Sequence, residues 1–163
     1  FRIVLKRNFY YSGREWPYKN VKRKVIAEKY LVDESGVELK DYKLYCFDGK
    51  VKLIMINSDR NKECSTKADY FDADFNHINM TWGYEQSTVV PSKPLYFEEM
   101  KMLAEKLSKG MPHVRIDFYI ADNRVYFGEM TFFDGSGFDA FGDIKDANIL
   151  GEWINLPEPV VKG

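Results

Sequence analysis

Along the chain the apolar positions change period several times, and each change marks an element. From Lys24 to Val32 ("KVIAEKYLV") apolar and polar residues alternate loosely, which predicts a strand. "DESG" at 33–36 predicts a turn, and the stricter alternation of "ELKDYKLYCF" at 38–47 predicts a second strand. Asp48-Gly49 carries a two-residue hairpin signal, because a type I′ turn needs positive φ at both central positions; "KVKLIMIN" at 50–57 is then its antiparallel partner. No period dominates from 58 to 93, which reads as a long irregular segment, more often functional than a plain linker. The clearest helix is "FEEMKMLAEKLSKG" at 97–110, where Met100, Leu103, Ala104 and Leu107 form one stripe and Gly110 ends it. Two strands follow at 113–120 and 124–133, joined through Asp122-Asn123, then a glycine-rich loop at 134–143 and a short terminal helix at 144–155. Residues 1–23, basic and aromatic, read as a linker or helical lead-in. The order is β-β-β-α-β-β with largely antiparallel pairing, an α+β pattern in a single unit over 1–163.

Composition narrows the function classes. With 45% apolar and 30% charged residues in 163, the chain is globular and long enough for one ordinary core. A net charge of −1 gives no general pull toward duplex nucleic acid or an anionic membrane. No apolar run is long enough to span a bilayer, and no signal peptide is visible. Cys46 and Cys64 fit no CxxC pattern and His77 and His113 stand alone, so reduced thiols in a cytoplasmic setting are expected rather than disulfides or zinc. The chain opens on Phe1, as a piece of a longer protein would. "DADFNH" at 72–77 begins like a calcium loop but has His77 where that loop needs glycine, so it reads as a solvated loop. The basic cluster from Arg2 to Lys24 serves solubility in the simplest reading; a basic entrance for an anionic glycan is the sharper one.

The chemistry concentrates in "RIDFYIADNRVYFGEMTFFDGSGF" (115–138). Residues two apart on a strand share a face, so Arg115, Asp117 and Tyr119 lie together, opposite Val114, Ile116, Phe118 and Ile120. Phe127, Glu129, Thr131 and Phe133 share a side of the next strand. A turn near Asp122-Asn123 brings Asp117 and Glu129 opposite each other to within about one residue. Like charges across a ladder destabilise it unless something positive lies between them, and a hard divalent cation fits. Arg115 adds a fixed cation able to hold a phosphate or oxyanion. A wet sheet face whose charges do nothing is the competing reading.

"RIDFY" followed by "VYFGEMTF" and "GSG" resembles the closing metal-binding hairpin of ATP-grasp enzymes. "REWPYKNVKRKVIAEKYLVDESG", "DYKLYCFDGK" and "KPLYFEEMKMLAEKLS" look more narrowly like the TupA-like ATP-grasp family of bacterial surface-polysaccharide gene clusters, from about Tyr10 to Leu156. The resemblance implies an α+β ATP-grasp C-terminal lobe and an ATP- and magnesium-dependent carboxylate–amine ligase working through an acyl-phosphate. By the same resemblance Asp117 and Glu129 would be magnesium ligands, with Thr131 standing where the wider superfamily has Asn. Arg115 would stabilise the transferred phosphoryl group, and Asp41 and Lys43 would face the phosphates. Glu28, Lys29, Tyr30 and Leu31 match the hinge that holds adenine and ribose, and Ser136 and Gly137 the loop approaching a substrate that bears a carboxylate or amine. No glycine-rich flap precedes Glu28, so the resemblance implies a truncated chain lacking an N-terminal lobe. A glycosyltransferase of a polysaccharide cluster and a non-catalytic lobe binding glycan or a partner protein remain the alternatives.

Overall fold

The computed structural model of the chain describes residues 4–36, 39–59 and 66–158. Arg2, Glu38 and Cys64 therefore lie outside the described residues. Six strands form one fully antiparallel sheet: β1 (Asp41–Phe47), β2 (Lys50–Ser58), β3 (Lys67–Asp72), β4 (His77–Ile78), β5 (His113–Ala121) and β6 (Arg124–Thr131), in spatial order β4-β3-β2-β1-β5-β6. Among the described residues three helices accompany it, α1 (Tyr10–Gly13), α2 (Phe97–Leu107) and α3 (Ile144–Glu152), with short 3₁₀ turns at Val4–Lys6, Trp16–Tyr18 and Asp134–Gly137.

The two hairpin turns form as their sequences require. Asp48 and Gly49 take φ of 49° and 76°, Asp122 and Asn123 take 50° and 56°, and each pair links adjacent antiparallel strands. Helix α2 packs Phe97, Met100 and Ala104 on one face of the sheet, against Leu44, Ile54, Ile56, Val114, Ile116 and Phe118. Its acidic first turn (Glu98, Glu99) and Lys106 in the last turn suit the helix dipole. Leu107, at the end of the apolar stripe, is exposed, and the helix stops there. The other face divides in two. Its aromatic half (Tyr45, Phe47, Leu53, Met55, Tyr70) is covered by Met80 and Leu150 of α3, and its charged half carries the candidate site.

Three expectations are corrected. The 24–32 stretch is not a strand: it runs without regular pairing, and Val25, Ile26 and Tyr30 are exposed, because no strand of the described residues pairs with it. The 58–93 segment is not wholly irregular, since β3 and β4 lie within it. Asp69 and Asp72 masked β3 from a hydrophobic reading, yet Asp69 is buried and accepts a hydrogen bond from Ser87 Oγ at 2.5 Å. Phe127 does not share a side with Glu129. A bulge breaks the β5–β6 register between Ile116 and Phe118, so Phe127 pairs with Phe118 on the α2 face.

Candidate functional site

The bulge decides where the carboxylates point. Below it Arg115 pairs with Thr131 and Ile116 with Met130; above it the register follows the tight turn. The slip absorbs the one-residue offset and leaves Glu129 on the face of Arg115 and Asp117. Gly128 is required at this point: a Cβ there would come within 2.9 Å of Tyr119 Cε2 and 3.1 Å of the Asp117 carbonyl oxygen.

The positive group between Asp117 and Glu129 is Arg115. Its Nε donates to Asp117 Oδ1 at 2.7 Å, and its Nη2 donates to Asp117 Oδ2 and to Glu129 Oε1, both at 2.8 Å. Its Nη1 donates to Asp134 Oδ1, and Tyr45 Oη donates to the other oxygen of that carboxylate. On the far side Lys43, which pairs with Asp117 across β1 and β5, bridges Asp41 at 2.7 Å and Asp117 at 2.5 Å. The Asp41–Lys43 pair is thus interior, not the surface pair its i, i+2 spacing allows. Asp117, Asp41 and Arg115 are all buried, whereas the Glu129 side chain is 61% exposed. Burial pushes the Asp117 carboxyl above its ordinary value, and hydrogen bonds and charge from Arg115 and Lys43 offset part of the rise. Burial opposes the charge on Arg115 as well, but Asp117 and Asp134 more than restore it and hold the guanidinium above its ordinary range.

Other positions expected from sequence fall around this belt. Thr131 Oγ1 donates to Glu129 Oε1 at 2.8 Å, so its hydroxyl serves that carboxylate. Glu28, Lys29, Tyr30 and Leu31 line one wall of a cleft of about 990 Å³; the opposite wall is β6, with Tyr126, Phe127, Gly128 and Glu129. Lys29 Nζ ties this wall to Asp122 at 3.1 Å. Ser136 Oγ donates to Glu15 Oε1 at 2.8 Å. The sequence reading missed Asp134, Tyr45, Glu15 and Tyr18. Tyr18 Oη accepts the Phe132 N–H at 3.0 Å, beside the site, and burial is the main cause that raises its pKa. Asp134 at the head of the glycine loop was the one visible signal; a strand tyrosine reads as core.

The donor set suits a hard cation. Four carboxylates (Asp41, Asp117, Glu129, Asp134) meet two cations (Lys43, Arg115), which leaves two negative charges in excess. No three His, Cys, Asp or Glu side chains converge as a ready cage among the described residues. Magnesium needs none, since it is commonly held by one or two carboxylates and completes its shell with phosphate oxygens and water. No helix of the described residues is long and apolar enough to cross a membrane.

No curated protein and no solved structure matches the chain. The family model of TupA-like ATP-grasp proteins matches residues 1–155 of 163, and the chain belongs to that family.

Proposed function

We propose that the chain is the C-terminal, nucleotide-holding lobe of an ATP- and magnesium-dependent carboxylate–amine ligase that decorates a bacterial capsule or cell-wall polysaccharide from the cytoplasmic side. The observation that carries this reading is the continuity of the charged belt with the cleft: Glu129 belongs both to the Arg115 network and to the wall facing residues 28–31. Adenine and ribose would lie against Glu28, Lys29, Tyr30 and Leu31, and the phosphates would extend toward Glu129, Arg115 and Lys43.

In phosphoryl transfer the protein mainly positions groups and neutralises charge. Glu129, with an exposed carboxylate, and Asp117 on the neighbouring strand are the residues that would hold a magnesium ion. Magnesium, when bound, neutralises phosphate oxygens and orients them for displacement. Arg115 and Lys43 hold negative charge as it develops on the transferred group, and the buried Asp117 keeps both cations aimed. Asp41 fixes Lys43 from below. Ser136 and Gly137 approach the acyl or amine substrate.

Calorimetry tests the reading. The parent should bind ATP with magnesium, and Glu129→Ala should bind at least about tenfold more weakly, a loss of about 1.4 kcal/mol. Equal binding by the two proteins refutes it. Response to a sugar nucleotide with manganese and none to ATP would favour the glycosyltransferase, and polysaccharide binding that survives replacement of both Asp117 and Glu129 would favour the non-catalytic lobe.

A further inference from the structure

Between Val4 and Ile26 lysine and arginine recur, and the one acid of that stretch, Glu15, is buried against Ser136. The stretch folds back on itself: Arg23 Nη1 donates to the Lys6 carbonyl at 3.0 Å, and Asn8 Nδ2 to the Lys19 carbonyl at 2.8 Å. Along this fold-back lie two hollows, of about 850 and 620 Å³, which share Asn8, Phe9 and Arg23 and so form one trough. Lys6, Arg7, Lys22, Arg23 and Lys24 line it, and no Asp or Glu does. None of these five forms a salt bridge among the described residues, whereas the next lysines along the chain, Lys29, Lys40 and Lys43, are all ion-paired. The trough is therefore a space walled by positive charge that the fold itself does not neutralise.

Two side chains give the trough a second chemistry. Phe9 and Tyr11 border it and are 61% and 65% exposed, so cation and free ring stand side by side at Arg7, Phe9 and Tyr11. An acidic sugar would use both at once, since its pyranose face lies on an aromatic ring while its carboxylate meets a guanidinium or ammonium. The trough also leads to the proposed site. Its second hollow reaches Ile26, two residues short of Glu28 in the wall of the nucleotide cleft. Phe9 meets Tyr18 edge to face at 5.8 Å between centroids, and Tyr18 meets Phe132 at 6.1 Å, next to the Thr131 hydroxyl that serves Glu129. A single-stranded nucleic acid likewise joins ring to anion, but proteins that hold one present a broad positive field, and this chain has a net charge of −1.

We propose that this trough binds an acidic oligosaccharide, with its carboxylates on the lysines and arginines and its sugar faces on Phe9 and Tyr11, as the docking site of the glycan to be decorated. The role as acceptor site rests on the ligase reading, but the binding itself needs neither ATP nor magnesium. Hexagalacturonate is titrated into the ¹⁵N-labelled chain at constant ionic strength, with maltohexaose as the neutral sugar of equal length and hexathymidylate as the nucleic-acid competitor. Saturable amide shifts are expected at residues 6–12 and 22–24, with a dissociation constant on the order of millimolar and at least about tenfold weaker binding of maltohexaose. Lys6→Gln with Arg7→Gln should weaken hexagalacturonate about fivefold, and Tyr11→Ala about threefold. Lys106→Gln with Lys109→Gln removes equal charge from exposed positions at the end of α2 and should leave the constant unchanged. Shifts that fail to saturate, equal weakening by the two charge pairs, maltohexaose matching hexagalacturonate, or tighter binding of hexathymidylate would each overturn the assignment. Loss of ATP binding in the calorimetry above would leave the carbohydrate result standing, and unsaturable shifts beside intact ATP binding would remove the trough alone, so the two readings fail separately.

Discussion

Replacing Arg115 by methionine removes a group that touches three carboxylates. Asp117 loses two hydrogen bonds and keeps only Lys43, with its side chain 1% exposed. Breaking a buried ion pair by deleting one partner costs about 3–5 kcal/mol, and the surviving Lys43 contact puts this case near the lower end. Asp134, 20% exposed and still bonded to Tyr45, adds about 1 kcal/mol; Glu129, 61% exposed, adds nothing countable. A total of about 3–4 kcal/mol corresponds to a fall in Tm of about 6–16 °C for a chain of this size, or a urea midpoint lower by about 1.5–2 M. The deficit should also depend on pH in a defined direction. Burial already raises the Asp117 carboxyl above 3.8, and losing Arg115 raises it further. A group raised in the folded state favours folding below its unfolded value and loses that contribution as pH rises through the folded value. Urea titrations of parent and Arg115→Met should therefore differ most at neutral pH and converge on acidification. A midpoint within about 0.5 M of the parent at neutral pH, or a gap that does not narrow in acid, would refute the account.

Other perturbations follow from the same geometry. Burial holds the His113 imidazole below its ordinary 6.5 despite its contact with the Cys46 carbonyl. Its neutral form therefore contributes stability that is present above 6.5 and lost as pH falls toward the folded value; His113→Gln should abolish that slope in denaturation midpoints, and an identical slope would show that another group causes it. Gly128→Ala should cost about 1–3 kcal/mol by forcing Tyr119 or the Asp117 backbone aside, with faster amide exchange at Glu129 and Met130 as the readout. Tyr45→Phe strips a buried hydroxyl from Asp134 and should cost about 1–3 kcal/mol in urea while leaving the sheet's circular dichroism intact; a neutral result would mean Asp134 is held by Arg115 alone.

What could be read from the sequence was whatever is local. Asp48-Gly49 and Asp122-Asn123 dictate φ within two residues, and the Met100–Ala104 stripe dictates a helix within one turn, so those elements were legible. Strand status depends on a neighbour, and the neighbour is not local. The 24–32 stretch alternates like a strand but has none beside it, while β3 breaks alternation with Asp69 and still pairs with β2 through six residues. Facing of Asp117 and Glu129 was legible because the turn sets it to within a residue; the bulge at Gly128 was not, since it answers to the crowding of Tyr119. Glu15 and Tyr18 were invisible because their partners lie 121 and 114 residues away, with no periodic signal between them.

Strand β1 joins two halves of very different reach. Its pairing with β2 closes across a two-residue turn, but its pairing with β5 brings Lys43 to Asp117 over 74 residues. Closing so long a loop costs entropy before any contact repays it, so each hairpin forms early and their joining comes late. The buried charges straddle that seam: Asp41 and Lys43 arrive with one half, Asp117, Arg115 and Glu129 with the other. Until the two halves join, neither carries the complete charged belt, because Lys43 reaches Asp117 only across that seam.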